Sequence, residues 1–511
     1  MYWPSHYQRS GLTYSGDDFS YVAHATVIVF YQWPDYSLEY FEVGDNVPAH
    51  SVGPALLALP FAWAGSLVDR ALDAPIVTER TRESLYMSWT VFGFIISSSV
   101  YFWLSCLLLY GAARFVYSAR TSATAVVCLV LMQGVPLYAY RRPVFPHVGE
   151  LFLQSVLVCL LVWSRHRPIP SILSLRWAPV VGLVCGLLVL VRPNDAILAC
   201  LWPILLFGDF RQWRWPLIGW RQVTAAAGVA IVLVGVFRFL PNMINEAGVV
   251  GVGTYESDAL GRVFGIRPLG YYSKRLAHIF AGRDWGLLWT APYLVVGTAV
   301  IASRKAPMRR ECLLLASALL VNVWIVLQWP SQASWYGYRY LVFAAIPVLL
   351  LPMACFVDWI RLRLGRGAIP VLLAIGVFPL VSMLSFGIAP NLGLAIRPNI
   401  AGWSNPDFQV QAWGFLLASP FQYAEAVLRE GVGYIFGVIQ GLWGLLFPSV
   451  AIGNESPREV NLPLLCRSIV IWILPLLLHL AAWRSGLLRR LLPKPRGPPS
   501  SDSYCNQEGE E

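Results

Sequence analysis

The sequence predicts an all-α, polytopic integral membrane protein with about eleven transmembrane helices, plus interfacial helices in a first outer loop. Three observations carry this. Of 511 residues, 57% are hydrophobic and only 13% charged, about half the charged share of a soluble domain. Apolar stretches of 18 or more residues, each enough to cross ~30 Å of hydrocarbon, recur along most of the chain. Clusters of basic residues fall after every second stretch.

The spans expected are 84–112, 121–140, 147–164, 172–191, 194–208, 218–240, 285–302, 311–329, 339–356, 367–388 and 463–484. Arg114 and Arg120 follow the first, and Arg165, Arg167 and Arg176 the third. Arg211, Arg214 and Arg221 follow the fifth, and Arg304, Lys305, Arg309 and Arg310 the seventh. Arg361, Arg363 and Arg366 follow the ninth, and Arg484, Arg489, Arg490, Lys494 and Arg496 the last. Positive residues stay inside, so these loops and the C-terminus are expected in the cytoplasm of a plasma or inner membrane protein. The formal charge of +10 is spent in these short loops, which argues against nucleic acid as a partner and leaves membrane lipids.

Residues 1–83 then form an outer loop, with ten acids against four arginines. Its apolar stretch 51–68 carries Pro54 and Pro60 and is expected to be re-entrant or interfacial. Residues 84–388 form the transmembrane core. Residues 389–462 are an outer loop whose segment Phe415 to Phe447 suits an amphipathic helix. The last span, 463–484, precedes a cytoplasmic tail, 485–511, rich in Pro, Ser and acids near its end. An external N-terminus requires a spanning helix upstream of Met1, so the chain is expected to start late or to have lost that helix. The nine cysteines lie mostly singly in apolar stretches and form no CxxC, so neither a disulfide framework nor a zinc site is indicated.

Five polar groups project to the outer side under this topology, which was set by the basic clusters alone. Asp17 and Asp18 precede an apolar run. Adjacent acids repel, so one could act as a base or both could hold a divalent cation; equally they could cap a helix. His147 and Glu150 stand i, i+3 on one helix face at the membrane boundary, beside Arg141 and Arg142. Ionisable groups at that depth tend to line a cavity. Arg192, in the turn Arg192-Pro193-Asn194-Asp195, could meet a substrate or simply close the turn. Arg283 and Asp284 end the 241–284 loop, which also carries Lys274, and Tyr338 and Arg339 sit in Trp335-Tyr336-Gly337-Tyr338-Arg339-Tyr340. Arginine suits phosphate and aromatic faces suit sugar rings; an aromatic belt with snorkelling arginines is the plain alternative.

These residues resemble the GT-C superfamily of membrane glycosyltransferases, its protein O-mannosyltransferase and aminoarabinose-transferase branch above all. The shared features are the acidic pair, the Gly53 to Phe61 stretch, Pro146 with His147 and Glu150, the Arg192-Pro193 turn, the Gly286 to Pro292 segment and the Gly-Tyr-Arg-Tyr segment, across about residues 10–356. The resemblance implies a polyprenyl-phosphate-linked sugar as donor, a lipid, glycan or protein hydroxyl as acceptor, and inversion on the extracytoplasmic face. It further implies Asp17 or Asp18 as catalytic base, His147 and Glu150 near the site, and a divalent metal, for which Asp17 and His147 are candidates. The chain departs from the family where its first membrane helix is expected, and in having Asp rather than Glu as the second acid. A transporter or flippase of lipid-linked glycans, and a surface-polysaccharide polymerase or ligase, are the other readings. The first would place ionisable groups at the bilayer midplane, whereas here they gather at one face.

Overall fold

The structure is a computed structural model. It describes residues 16–30, 32–36, 47–48, 50–73, 88–140, 144–166, 175–209, 217–244, 265, 267–301, 307–328, 338–388 and 407–427. The expected span 463–484, the segment Phe415 to Phe447 beyond residue 427, and the C-terminal tail lie outside them.

The architecture is an all-α membrane protein; among the described residues it is relieved by one two-residue antiparallel pair in which Gly208 meets Ile218 and Asp209 meets Leu217. In chain order the principal helices are α1 (Gly16–Val29), α2 (Gly53–Ala71), α3 (Trp89–Arg114), α4 (Ala119–Val126), α5 (Val135–Tyr140), α6 (His147–His166), α7 (Ala178–Val191), α8 (Ala196–Phe207), α9 (Trp220–Val234), α10 (Leu269–Ala281), α11 (Leu287–Thr290), α12 (Pro292–Ile301), α13 (Arg309–Gln328), α14 (Arg339–Val348), α15 (Leu350–Leu364), α16 (Ala368–Ile388) and α17 (Phe408–Ala418).

Among the described residues, five helical stretches are long and apolar enough to cross a membrane: Trp89–Arg114, His147–His166, Trp220–Phe239, Arg309–Gln328 and Leu350–Phe386. The last is interrupted at Gly365, whose φ of +53° is a conformation natural to glycine. Six further apolar helices among the described residues run 10–17 residues.

Three expected spans are not continuous. The 121–140 stretch is α4, a π turn at Val127–Leu131, a turn at Gly134 and then α5. The Gln133 amide covers the Cys128 and Leu129 carbonyls, at 3.2 and 3.0 Å, which keeps the break satisfied inside apolar surroundings. The 285–302 stretch breaks at Ala291, before Pro292, with Thr290 Oγ1 donating to the Trp285 and Gly286 carbonyls. The 339–356 stretch breaks at Leu349, between Pro347 and Pro352. Proline removes a ladder donor and pushes its preceding turn away from helix, a cause visible in the sequence; the π turn has no such marker.

Two ends of the bundle are chemically distinct. At the basic end, Phe115 after α3 meets His166 at the end of α6, ring centroids 6.2 Å apart. Arg165 pairs with Glu311 at 3.1 Å and caps the Leu205 and Gly208 carbonyls. Arg361 donates to Thr121 Oγ1 at 2.8 Å, and that hydroxyl donates to Asp358. The opposite, mouth end gathers the start of α6, the turn after α7 and the start of α14.

Helix α2 runs antiparallel to the first half of α3 and reaches the mouth. Tyr101 donates to the Leu57 carbonyl at 2.7 Å, and Gly65 and Gly93 let the two backbones touch: a Cβ at Gly65 would lie 2.0 Å from the Trp89 carbonyl oxygen, and one at Gly93 2.1 Å from that of Phe61. Small residues permit this contact where no hydrophobic drive exists between helices in lipid. Asp69, fully buried, accepts from Trp89 N, Thr90 N and Thr90 Oγ1 at 2.7–2.8 Å, and Ser88 caps Val91 N, so four donors at the start of α3 are satisfied. At its other end α2 rests on the mouth: a Cβ on Gly53 would lie 2.2 Å from Val191 N.

Candidate active site

Proline places each ionisable group at the mouth. Pro146 precedes α6, and its carbonyl accepts from Glu150 N at 3.0 Å, so His147 and Glu150 share the first turn. After α7 the chain extends at Arg192 (φ −144°, ψ 97°), and Pro193 opens a 3-10 turn carrying Asp195. Glu150, Asp195, His147 and Arg192 are 0%, 1%, 2% and 5% exposed, a density of buried charge that marks a functional site by default in a membrane protein.

Arg192 is the hub. Its Nη1 lies 3.1 Å from His147 Nδ1. A guanidinium only donates, so His147 Nδ1 accepts and its ring proton sits on Nε2. Arg192 Nε stands 3.8 Å from Glu150 Oε2, and its Cζ lies 4.0 Å from the centre of the Tyr340 ring. Asp195 accepts from Asn322 of α13 at 3.1 Å and is also approached by Glu150 and Gln154. Tyr340 and Phe343 of α14 pack on His147, ring centroids 5.8 and 5.1 Å away. Arg339, buried beside them, has Cζ 4.9 Å from the Phe145 ring. Chemically, the Arg192 guanidinium stands against two buried carboxylates, while the Arg339 guanidinium lies close by over the Phe145 and Tyr340 rings; a guanidinium is suited to binding phosphate.

The N-terminal segment closes over this end. His24 Nε2 donates to the His50 carbonyl at 2.8 Å, so its Nδ1, 2.6 Å from Tyr36 OH, accepts from that hydroxyl. Burial pushes the His24 imidazole down to about 4. His50 Nδ1 bonds Ser20 Oγ at 3.1 Å, and Ser51 Oγ donates to the Val191 carbonyl at 3.0 Å. These bonds set the first turn of α1 about one helical turn, ~5 Å, from a bridge that ends on the residue before Arg192. Asp17 and Asp18 belong to that first turn; their side chains lie outside the described residues, as do Arg141, Arg142 and residues 329–337.

The remaining expected site residues divide. Asp284, 1% exposed, accepts from Trp285 N at 2.7 Å and lies 3.3 Å from His278 Nε2. His278 Nδ1 is 2.6 Å from Tyr338 OH, so Tyr338, Arg339 and Tyr340 link this group to the mouth cluster. Arg283 instead points outward, 3.6 Å from the exposed Asp407, and Lys274 is exposed on α10. Sequence reasoning missed Gln154, His278 and Asn322. Gln154 and Asn322 did carry a signal, being lone amides inside apolar spans; nothing local marks His278.

Among the described residues no group of three or more His, Cys, Asp or Glu could hold a metal ion. His147 Nδ1 faces a guanidinium, a poor neighbour for a divalent cation, which would have to use Nε2. The Asp17 side chain, the other expected ligand, lies outside the described residues, and no step is derived through a metal.

No family model matches the sequence, and no curated protein matches it. Among solved structures, the chain is similar to the oligosaccharyltransferase of Archaeoglobus fulgidus. The apo form gives a TM-score of 0.38 at 13% identity, covering 90% of this chain and 59% of that one. The form tethered with an acceptor peptide gives 0.37 at 15%, covering 89% and 57%. The complex with an inhibitory peptide and a dolichol-phosphate gives 0.35 at 14%, covering 89% and 59%. The chain spans less than two thirds of the length of the solved structures that it matches.

Proposed function

We propose that this chain is a GT-C-type glycosyltransferase that moves a sugar from a polyprenyl-phosphate carrier to an acceptor hydroxyl on the extracytoplasmic face, with inversion. The buried His147–Glu150–Arg192–Asp195 cluster, set where apolar helices end and bridged to the start of α1, carries the reading. A carrier phosphate anchored by its lipid reaches the protein at that depth.

In this reading Asp17 or Asp18 takes the acceptor proton as the acceptor oxygen bonds the anomeric carbon from the face opposite the leaving group. The bond from that carbon to the phosphate oxygen breaks, and the lipid phosphate leaves with the electron pair. Arg192 and Arg339 hold the charge that grows on it. His147 keeps Arg192 oriented, and Glu150 and Asp195 restrain the guanidinium on its other side. Lys274, exposed on α10, and Arg283, at the surface beside Asp407, border the approach for the acceptor, while Tyr338 and Asp284 lie buried behind Arg339.

The test is glycan analysis of cells lacking the gene, complemented with wild type, Asp17→Asn, Asp18→Asn or the double variant. The proposal expects a missing glycan restored by wild type and not by the double variant. Full rescue by all three variants removes the catalytic assignment.

A further inference from the structure

We infer that His278 is a positioning residue that sets Arg339 against the donor phosphate, acting through Tyr338; this rests on the function proposed above. The chain Asp284–His278–Tyr338 is continuous: 3.3 Å from Asp284 Oδ1 to His278 Nε2, then 2.6 Å from His278 Nδ1 to Tyr338 OH. The geometry assigns the protons. Nε2 lies beside a carboxylate, which can only accept, so the ring proton is assigned to Nε2, Nδ1 accepts and the Tyr338 hydroxyl donates to it. Asp284 is itself fixed, its Oδ1 by Trp285 N and its carbonyl by Gln409 Nε2 at 2.8 Å, so the chain ends on packed structure.

What it holds is the start of α14. Tyr338 is the residue before that helix, its backbone carbonyl accepting from Leu341 N and Val342 N, and no side chain caps the first turn. An uncapped helix end frays unless something else pins it. Here the Tyr338 ring, 0% exposed, is pinned through its hydroxyl. The next two residues are Arg339 and Tyr340, and Tyr340 lies under Arg192 and beside His147. The chain does not face the mouth: Tyr338 OH is engaged by His278, leaving Arg339 as the group through which it acts. Displacing an oriented charge by about 1 Å is enough to cost roughly a hundredfold in a preorganised site.

The test measures binding of undecaprenyl phosphate to purified protein in detergent by tryptophan fluorescence, for wild type, Tyr338→Phe, His278→Ala, His278→Asn, Arg192→Ala, Arg339→Ala and the double Tyr338→Phe/Arg339→Ala. Tyr338→Phe and His278→Ala are expected to weaken binding about tenfold, the scale of one buried hydrogen bond, and His278→Asn to recover part of it. In the Arg339→Ala background, Tyr338→Phe is expected to change nothing further, which a general loss of stability would not produce. A Tyr338→Phe effect of equal size in both backgrounds overturns the inference, as does unchanged affinity in Tyr338→Phe when Arg192→Ala and Arg339→Ala weaken binding. No binding by wild type overturns the proposed function, and the inference with it.

Discussion

Arg192→Gln removes the cation from a pocket that keeps two buried carboxylates. Glu150 Oε2 stands 3.8 Å from Arg192 Nε, with both side chains nearly inaccessible. At that separation and an effective dielectric of ~20, a fully ionised pair gains at most about 4 kcal/mol. The cation–π contact over Tyr340 at 4.0 Å adds ~1–2 kcal/mol when desolvated. Recovered hydration of the lost guanidinium offsets part of this, and one-sided breaking of buried pairs typically costs about 3–5 kcal/mol. We therefore expect a loss of that size, seen as a fall of roughly 5 °C in the thermal midpoint in detergent. Arg192→Gln/Glu150→Gln should recover at least half of it, because the stranded carboxylate is then neutral. A midpoint for Arg192→Gln within a degree of wild type, or a double variant at the sum of its singles, refutes this account of the cluster.

Other outcomes follow from the same structure. Asp69→Ala strands three donors at the start of α3, so it should cost about 2–4 kcal/mol and speed hydrogen exchange at residues 89–91; unchanged exchange contradicts the capping role. Gly53→Ala drives a Cβ into the Val191 backbone and should cost about 1–3 kcal/mol, whereas Gly228→Ala, with nothing within 4 Å of its Cβ, should be neutral or slightly stabilising; equal midpoints for the two reject the seating of α2 on the mouth. For His24 the folded value of about 4 lies below its ordinary 6.5, so between those pH values the unfolded chain binds a proton that the folded one refuses. Stability should fall by about 3 kcal/mol as pH drops from 6.5 to 4, and His24→Asn should flatten that slope in a midpoint-versus-pH series; an unaltered slope would count against the buried, neutral imidazole.

Much of the fold was legible because bilayer physics is local: an apolar stretch of the right length reads as a helix, and basic clusters separate its ends. The grouping of Arg114 and Arg165 at one end of the bundle and of His147 and Arg192 at the other follows that pattern. The breaks were less legible. Pro292 and Pro347 announce two, but the π turn at Val127–Leu131 depends on Gln133 turning back onto two carbonyls, which no propensity reports. In the site, His147 and Glu150 were readable from one-turn spacing and Arg192 from its proline turn. The lone amides Asn322 and Gln154 gave only a weak signal and His278 none, because each matters through a partner 41 or more positions away: Asn322 and Gln154 through Asp195, His278 through Tyr338. Arg283 shows the converse: a motif that looked functional places its side chain against an exposed acid, where an ion pair contributes little.

The most direct measurement is release of polyprenyl phosphate by purified protein supplied with lipid-linked sugars extracted from membranes of the source cells, in detergent with a mixture of candidate acceptors. The account predicts release by wild type, and a fall of at least about a hundredfold in both Asp17→Asn/Asp18→Asn and Arg192→Ala, with the proteins still folded. Release at the wild-type rate by either variant would contradict it.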